Sequence, residues 1–445
     1  MKTLKLVEGS VTAPRGFLAA GVFCDIKRLG TGKGSNKGRK RDLALIVSEV
    51  PAAAAGLFTT NQVCAAPVKV CVEHLRSATA QAIVANSGNA NACTGARGLQ
   101  DAREMARLTA AQFHLPPRQV LVASTGRIGV TLPMDNVRRG IAAAAGLLGS
   151  QPSHAAEAAE AIMTSDTRPK QIAVEFKLGG RPARLGGICK GAGMIQPGMS
   201  LTGARPAALP PHATMLCFLT TDAALEAAAL RQALRQAVAL SFNRITVDGD
   251  MSTNDTVLLL ANGLAKNPII TAKDARGRSA GFQTFQQALD HVTLELAKMI
   301  VRDGEGVSRF VTVRVRGAKT FADADAAARA VANSALVKTS WFGGDPNWGR
   351  IIDALGYSPA RVVENKVDIA YRVPGSRGLV FSLKRGQPTA VPFKTLCRMV
   401  AGREFDLEIN LNLGRAEAVI YTCDLTEEYV DFNKGDVSDP AALGG

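Results

Sequence analysis

Short apolar runs alternate along this chain with longer segments in which apolar residues recur every three or four positions. Ala82 to Ala85, Val120 to Ala123, Ile172 to Phe176, Met215 to Leu219 and Val257 to Leu260 are apolar or β-branched runs bounded by polar or glycine-containing turns, the pattern of buried strands. Between them, Leu230, Leu234 and Val238 predict a helix, with Asp222 available to cap its start and Glu226 in an early turn. Phe285, Leu289, Val292, Leu296 and Met299 form a second helical stripe that stops at Asp303-Gly304. Phe405, Leu407, Ile409, Leu411 and Leu413 alternate strictly and meet a Gly414-Arg415 turn before 416–422, which predicts a β-hairpin. The expected fold class is mixed α/β (α+β) with antiparallel pairing. The Gly/Pro/Ala-rich stretch 200–212 and the tail after Val437 read as loop.

With 445 residues, 47% of them hydrophobic, the chain can bury a large core and should hold two or three structural lobes. Lys2 and Lys5 open the sequence, but Glu8, Gly9 and Arg15 interrupt the apolar residues that follow. No run approaches about 18 uncharged apolar positions, so neither an export signal nor a membrane span is expected. Eight cysteines are scattered without CxxC or paired His/Cys spacing, which argues against a zinc site or a disulfide framework and fits a reducing cytoplasm. The net charge of +15 raises nucleic acid as a partner. The densest basic stretch, Lys27 to Arg41, is glycine-rich, lacks P-loop spacing and carries no interleaved aromatic on which bases would stack. A basic surface that draws in acidic metabolites is the better reading.

Chemistry concentrates where strands run into polar turns. Val84-Ala85 leads into Asn86-Ser87-Gly88-Asn89-Ala90-Asn91-Ala92, and Val122-Ala123 leads into Ser124-Thr125-Gly126-Arg127-Ile128-Gly129. Such turns can aim backbone N–H groups and hydroxyls at a developing oxyanion, although glycine and asparagine also occupy ordinary turns. Thr214 stands out differently. It follows the small residue Ala213 and precedes a buried-strand pattern, as a self-cleaving chain requires. Threonine is a weak nucleophile, but at a new N-terminus its own α-amine, with a pKa of about 7.7–8.0, lies within reach of Oγ and can take the hydroxyl proton.

Several separated blocks, in order, resemble the ornithine acetyltransferase (glutamate N-acetyltransferase) family of arginine biosynthesis. They are Asn86-Ser87-Gly88-Asn89-Ala90-Asn91-Ala92, Thr125-Gly126, Lys190-Gly191-Ala192-Gly193-Met194-Ile195, Ala213-Thr214-Met215-Leu216, Asp303-Gly304-Glu305-Gly306 and Asp345-Pro346-Asn347-Trp348-Gly349-Arg350. The likeness runs from Val11-Thr12-Ala13-Pro14-Arg15-Gly16-Phe17 to Tyr429-Val430.

The resemblance implies a self-processing N-terminal-threonine acyltransferase fold with layered helices and mixed or antiparallel sheets. It implies cleavage between Ala213 and Thr214, giving an α chain of 1–213 and a β chain of 214–445 that stay together as a heterotetramer. It implies ping-pong acetyl transfer from N-acetylornithine to glutamate through acetyl-Thr214, without cofactor or metal, and leaves open whether acetyl-CoA is a further donor. By the same likeness Thr125 and Gly126 form the oxyanion hole, and Thr164, Lys190, Thr214, Glu305, Asn433 and Ser438 bind substrate, with Thr167 a weaker substitute for Thr164. A cationic Lys190 suits an amino-acid carboxylate and an anionic Glu305 suits an amine. A self-processing amidase or aminopeptidase of similar architecture is the alternative.

Two departures from the family pattern stand out. Ser200 to His212 intervene between Met199 and the Ala213-Thr214 pair, where the family has no such insertion, and Thr202 inside it is a rival nucleophile. Lengthening a loop costs closure entropy only slowly, so the fold should survive. At the other end, Ser438 stands where the family usually ends in threonine, and seven residues follow it.

Overall fold

The computed structural model describes residues 4–27, 40–200 and 215–434. The described residues fall into two compact units, one within 1–243, 250–300 and 434 and the other formed by 244–249 and 301–433, within the two or three lobes expected.

In the first unit the strands are β1 (Lys5–Leu6), β2 (Phe17–Val22), β3 (Leu43–Thr59), β4 (Thr79–Asn89), β5 (Val120–Arg127), β6 (Lys170–Leu178), β7 (Arg181–Lys190), β8 (Met199–Ser200), β9 (Leu216–Thr221) and β10 (Thr256–Ala261). They form one sheet in the order β1-β6-β7-β9-β10-β3-β4-β5, with β2 and β8 also paired to β3. β9 with β10 and β4 with β5 are parallel, and the other pairings are antiparallel. The five apolar runs predicted as strands all lie here. β3 is long enough to serve two partners on one side: Leu43–Ser48 pairs with β2 and Ala53–Phe58 with β10. Its register against β4 slips between Val47 and Ala52, around Pro51, which has no N–H to give to the ladder. β6 and β7 join through Gly179-Gly180, at φ 54° and 81°, the two left-handed positions of a tight two-residue hairpin turn.

Every residue of β9 and β10 is buried, as expected of strands covered on both faces by helices. The helix Ala227–Leu240 buries Leu230, Leu234 and Val238 with Ala229, Ala233 and Ala237 beside them, and packs against β3. Its N-cap position is Glu226, not Asp222. Asp222 is fully buried, and its two oxygens accept the backbone N–H groups of Arg184 (2.7 Å) and Arg15 (3.3 Å), so the residue anchors neighbouring strands instead. In the helix Ala280–Arg302, Phe285, Leu289, Val292 and Leu296 are buried and Met299 is half-buried. A side chain at Gly187 of β7 would bring a Cβ within 2.9 Å of Leu296 Cδ1, so glycine permits the close seating of this helix.

The second unit is built on β11 (Phe310–Ala318), β12 (Asp368–Arg372), β13 (Val380–Lys384), β14 (Gln387–Pro388), β15 (Glu404–Asn410) and β16 (Ala416–Cys423), in the order β14-β13-β12-β15-β11-β16. Here the predicted hairpin fails. β15 and β16 are strands, but β11 lies between them, parallel to β15 and antiparallel to β16. The chain after β15 is held by β11 itself: Leu411 N–H donates to Arg316 O and Gly414 N–H to Gly317 O. The alternation was read correctly. Phe405, Leu407 and Ile409 are buried with Trp341 and Tyr371, the Trp341 and Phe405 rings meeting edge-on at 5.9 Å. The opposite face carries charge, with Arg372 bridging Asp406 (2.8 Å) and Glu408 (2.7 Å).

Among the described residues no helix is long and apolar enough to cross a membrane, and no group of three His, Cys, Asp or Glu side chains could hold a metal ion. No disulfide joins any of the eight cysteines. Most of the basic loop, 28–39, lies outside the described residues, as does most of the insertion, 201–212.

Candidate active site

Parallel pairing of β4 and β5 brings the two polar turns singled out in the sequence side by side, with Ser87 opposite Thr125 and Gly88 opposite Gly126. Their asparagines stitch the turns together. Asn86 Oδ1 accepts from Ser124 Oγ at 2.6 Å, and Asn89 Nδ2 donates to the carbonyls of Val130 (3.0 Å) and Thr131 (3.1 Å). Asn254, just ahead of β10, donates to the carbonyls of Ala90 and Ser124, both at 2.7 Å. Gly126 has φ 131°, and a Cβ there would collide with the Gly88 carbonyl carbon, so both conformation and space demand glycine. Thr125 beside it is 1% exposed.

Lys190 ends β7 opposite Leu216 of β9 and is 2% exposed. Its Nζ donates to Thr164 Oγ1 at 2.6 Å and to Thr125 Oγ1 at 3.3 Å. Three residues far apart in sequence thus meet around one buried ammonium, Thr125, Thr164 and Lys190 itself. Thr164 is half-exposed, whereas Thr167 is exposed.

Two residues that sequence reasoning passed over hold this cluster. Asp166 accepts the backbone N–H groups of Thr164 (3.0 Å) and Gly191 (2.7 Å) and forms an ion pair with the buried Lys170 at 2.6 Å. Burial by itself would push the Asp166 carboxyl up, but Lys170, Lys190 and the Gly191 N–H outweigh it and hold the group well below the usual carboxylate range. The spacing of Asp166 and Lys170 carries no signal, because their meeting depends on the turn into β6. The second residue is Asp255, at the entrance to β10. It is fully buried, its Oδ1 accepts the Met215 N–H, and burial pushes its carboxyl well up, opposed by the Met215 N–H and the field of Lys190. A polar run, Ser252-Thr253-Asn254-Asp255, set against an apolar strand was the available hint.

In the second unit Glu305 and Asn433 also come together, Asn433 Nδ2 donating to Glu305 Oε2 at 2.8 Å and to Tyr429 O at 2.9 Å. The turn that presents Glu305 is fixed by Gly306, at φ 67°, whose carbonyl accepts from Thr426 Oγ1 at 2.7 Å. Asp345-Pro346-Asn347-Trp348-Gly349-Arg350 is a capping device: Asn347 accepts the Arg350 N–H at 3.0 Å to start the helix Trp348–Tyr357, and Asp345 holds the Asn347 amide at 2.8 Å. Ala213, Thr214 and Ser438 lie outside the described residues.

In the first unit the Thr125 hydroxyl and the Gly126 N–H are donors of the kind an oxyanion needs, beside the buried Lys190 cation, and in the second unit Glu305 presents an anion. Comparison with known proteins agrees. The ArgJ family profile matches residues 20–435. The arginine biosynthesis bifunctional protein ArgJ of Symbiobacterium thermophilum is 49% identical, covering 97% of this chain and 99% of the relative. The glutamate N-acetyltransferase of Methanocaldococcus jannaschii is 43% identical, covering 97% and 99%. The solved ornithine acetyltransferase of Mycobacterium tuberculosis, in complex with ornithine, is 40% identical over 44% of this chain and 100% of that one, with a TM-score of 0.40. The chain belongs to the ArgJ family, acyltransferases of arginine biosynthesis that are characterised by autocatalytic processing.

Proposed function

We propose that this protein moves an acetyl group from N-acetylornithine to glutamate through an acetyl-Thr214 intermediate, after cutting itself between Ala213 and Thr214. The observation that carries the reading is the buried Lys190 ammonium shared by the Thr164 and Thr125 hydroxyls, next to a glycine-restricted turn. Thr214 Oγ attacks the acetyl carbonyl while its own α-amine takes the proton. The oxyanion is met by the Thr125 hydroxyl and the Gly126 N–H, and the amine returns the proton to departing ornithine. Glutamate reverses the sequence. Because the acetyl group is parked on a side chain, atoms balance without a cofactor.

Lys190 takes the substrate carboxylate in this scheme, with Thr164 steering it, while Glu305 and Asn433 receive the amine end and Ser438 adds a hydroxyl. The fragments 1–213 and 214–445 remain together, two of each, in the cytoplasm.

The test incubates the purified protein with N-acetylornithine, with and without glutamate. Ornithine release that requires glutamate supports transfer, and equal release without it points to a hydrolase. Replacing N-acetylornithine with acetyl-CoA and following thiol release decides whether a second donor is used. N-terminal sequencing should return Thr-Met-Leu-Cys alongside the original N-terminus, and Thr214→Ala should abolish both the cut and the transfer.

A further inference from the structure

Thr125 and Gly126 are bracketed by two carbonyls, Ser124 O before them and Arg127 O after, and both are fastened to Ala90 on the neighbouring turn. Arg127 O accepts the Ala90 N–H at 2.8 Å. Ser124 O accepts from Asn254 Nδ2, which also donates to Ala90 O, both at 2.7 Å. Asn254 is 2% exposed and comes from elsewhere in the sheet: β3 and β4 stand between β10 and β5, so the reach is made by a side chain and not by strand pairing. The loop that carries it is fixed. Thr59 donates through Oγ1 to Ser252 O and through its N–H to Asp255 O, both at 2.8 Å, and the Ala65 N–H donates to Thr253 O at 2.9 Å. The amide's orientation is set as well, because Thr253 Oγ1 donates to Asn254 Oδ1 and leaves the NH2 group for the two carbonyls.

We infer that Asn254 is the positioning residue for the oxyanion donors, a role that rests on the assignment of Thr125 and Gly126 proposed above. The peptide joining Ser124 to Thr125 is planar, so holding Ser124 O also sets the Thr125 nitrogen and Cα, and through them Oγ1 and the Gly126 N–H that follows. Glycine is the least restrained of residues, and Gly126 at φ 131° cannot hold its own peptide in place, so the aim is supplied from outside. Oxyanion donors act because they are in place before charge develops, and a displacement of about 1 Å can cost about 100-fold in rate. Deleting the Asn254 amide takes a donor from each of two buried carbonyls, and the turns then shift to find others. Lys190 does not compensate, since it grips the Thr125 side chain and not the backbone. The carboxylate contacts Thr164 and Lys190 are held separately, by Asp166 at the Thr164 and Gly191 N–H groups, so the effect falls on kcat and not on KM.

The experiment measures kcat and KM for N-acetylornithine with glutamate present, per cut chain counted on a denaturing gel, beside urea midpoints. Asn254→Ala should lower kcat about 100-fold with KM unchanged. Asn267→Ala is the matched control: Asn267 Nδ2 also donates to two carbonyls, Ala224 O and Pro268 O, and its loss should lower the urea midpoint while kcat stays at the wild-type value. An Asn254→Ala enzyme that loses stability with wild-type kcat, or that loses kcat no more than Asn267→Ala does, overturns the role. If Asn254→Ala fails to fold or to cut, Thr253→Val decides. It releases the amide's orientation and should lower kcat about 5-fold, with recovery in Thr253→Ser, whereas wild-type kcat in Thr253→Val overturns the role. Thr125→Val separates this inference from the reading beneath it. Wild-type kcat in that variant removes the oxyanion assignment itself, and a kcat lowered about 100-fold there, with Asn254→Ala unaffected, removes Asn254 alone.

Discussion

Lys190 Nζ donates to Thr164 Oγ1 at 2.6 Å, which ties a cation on β7 to a hydroxyl on the loop after the helix Pro152–Ala161. The same ammonium reaches Thr125 on β5, the proposed oxyanion donor. Replacing Lys190 with Met keeps volume and removes the charge. We expect kcat/KM for N-acetylornithine to fall about 100-fold, since a charge-assisted hydrogen bond contributes about 1.5–3 kcal/mol. Lys190→Arg should not rescue, because a planar fork cannot occupy a site built for a point charge. Steady-state kinetics with both variants check this, and an unchanged kcat/KM in Lys190→Met would remove Lys190 from substrate recognition.

Gly126 and Gly129 lie three residues apart and both have positive φ, yet they predict different outcomes. At Gly129 a Cβ meets nothing within 4 Å, so Gly129→Ala carries only backbone strain, about 1–2 kcal/mol. At Gly126 the strain is joined by collision with the Gly88 backbone, and the turn must shift. Gly126→Ala should destabilise by about 2–4 kcal/mol and lower kcat about 100-fold, with Gly129→Ala near wild type in kcat. Urea titrations and kcat measured side by side decide it.

The elements were legible where burial on both faces leaves an uninterrupted apolar run, as in Val120-Leu121-Val122-Ala123, or where one face alternates, as in Phe405, Leu407 and Ile409. Pairing was not. Gly414-Arg415 after an alternating strand is a hairpin signal, but nothing in residues 405–422 records that a strand beginning at Phe310 inserts between the two halves. Asp222 misled for a similar reason: an aspartate ahead of a helical stripe reads as a cap until tertiary contacts claim both its oxygens. In the site, spacing alone left the Asn86–Ala92 and Ser124–Gly129 turns ambiguous. Thr164, Lys190, Glu305 and Asn433 were named on family likeness, and the fold then brought them together as a trio with Thr125 and as a pair. Asp166 and Lys170 had no local signature, and Asp255 had only the polar run 252–255 ahead of an apolar strand, because the contacts of these side chains exist only once the surrounding turns and strands meet.

Asn347 belongs to a block that resembles the family as closely as the site residues do, but its contacts are those of a helix cap. Asn347→Ala should cost about 1 kcal/mol and leave kcat and KM for both substrates unchanged. A small drop in urea midpoint with intact kinetics is the expected result. A kinetic defect without loss of stability would assign the block to chemistry instead.

Asp166 links stability to pH in a direction that can be worked out. Its folded carboxyl is held below its unfolded value, so the stabilisation is fully present above the unfolded pKa of about 3.9 and is lost as pH falls through the folded value. Asp166→Asn breaks the buried ion pair with Lys170, which costs about 3–5 kcal/mol. The gap between wild type and Asp166→Asn in urea titrations should therefore stay constant from pH 8 to about 5 and narrow on further acidification. Lys170→Met should cost less, because Asp166 keeps the field of Lys190 and the N–H groups of Thr164 and Gly191. A gap that widens toward acid would mean that the carboxyl is neutral in the folded protein, and that the Lys170 ammonium is held by other partners.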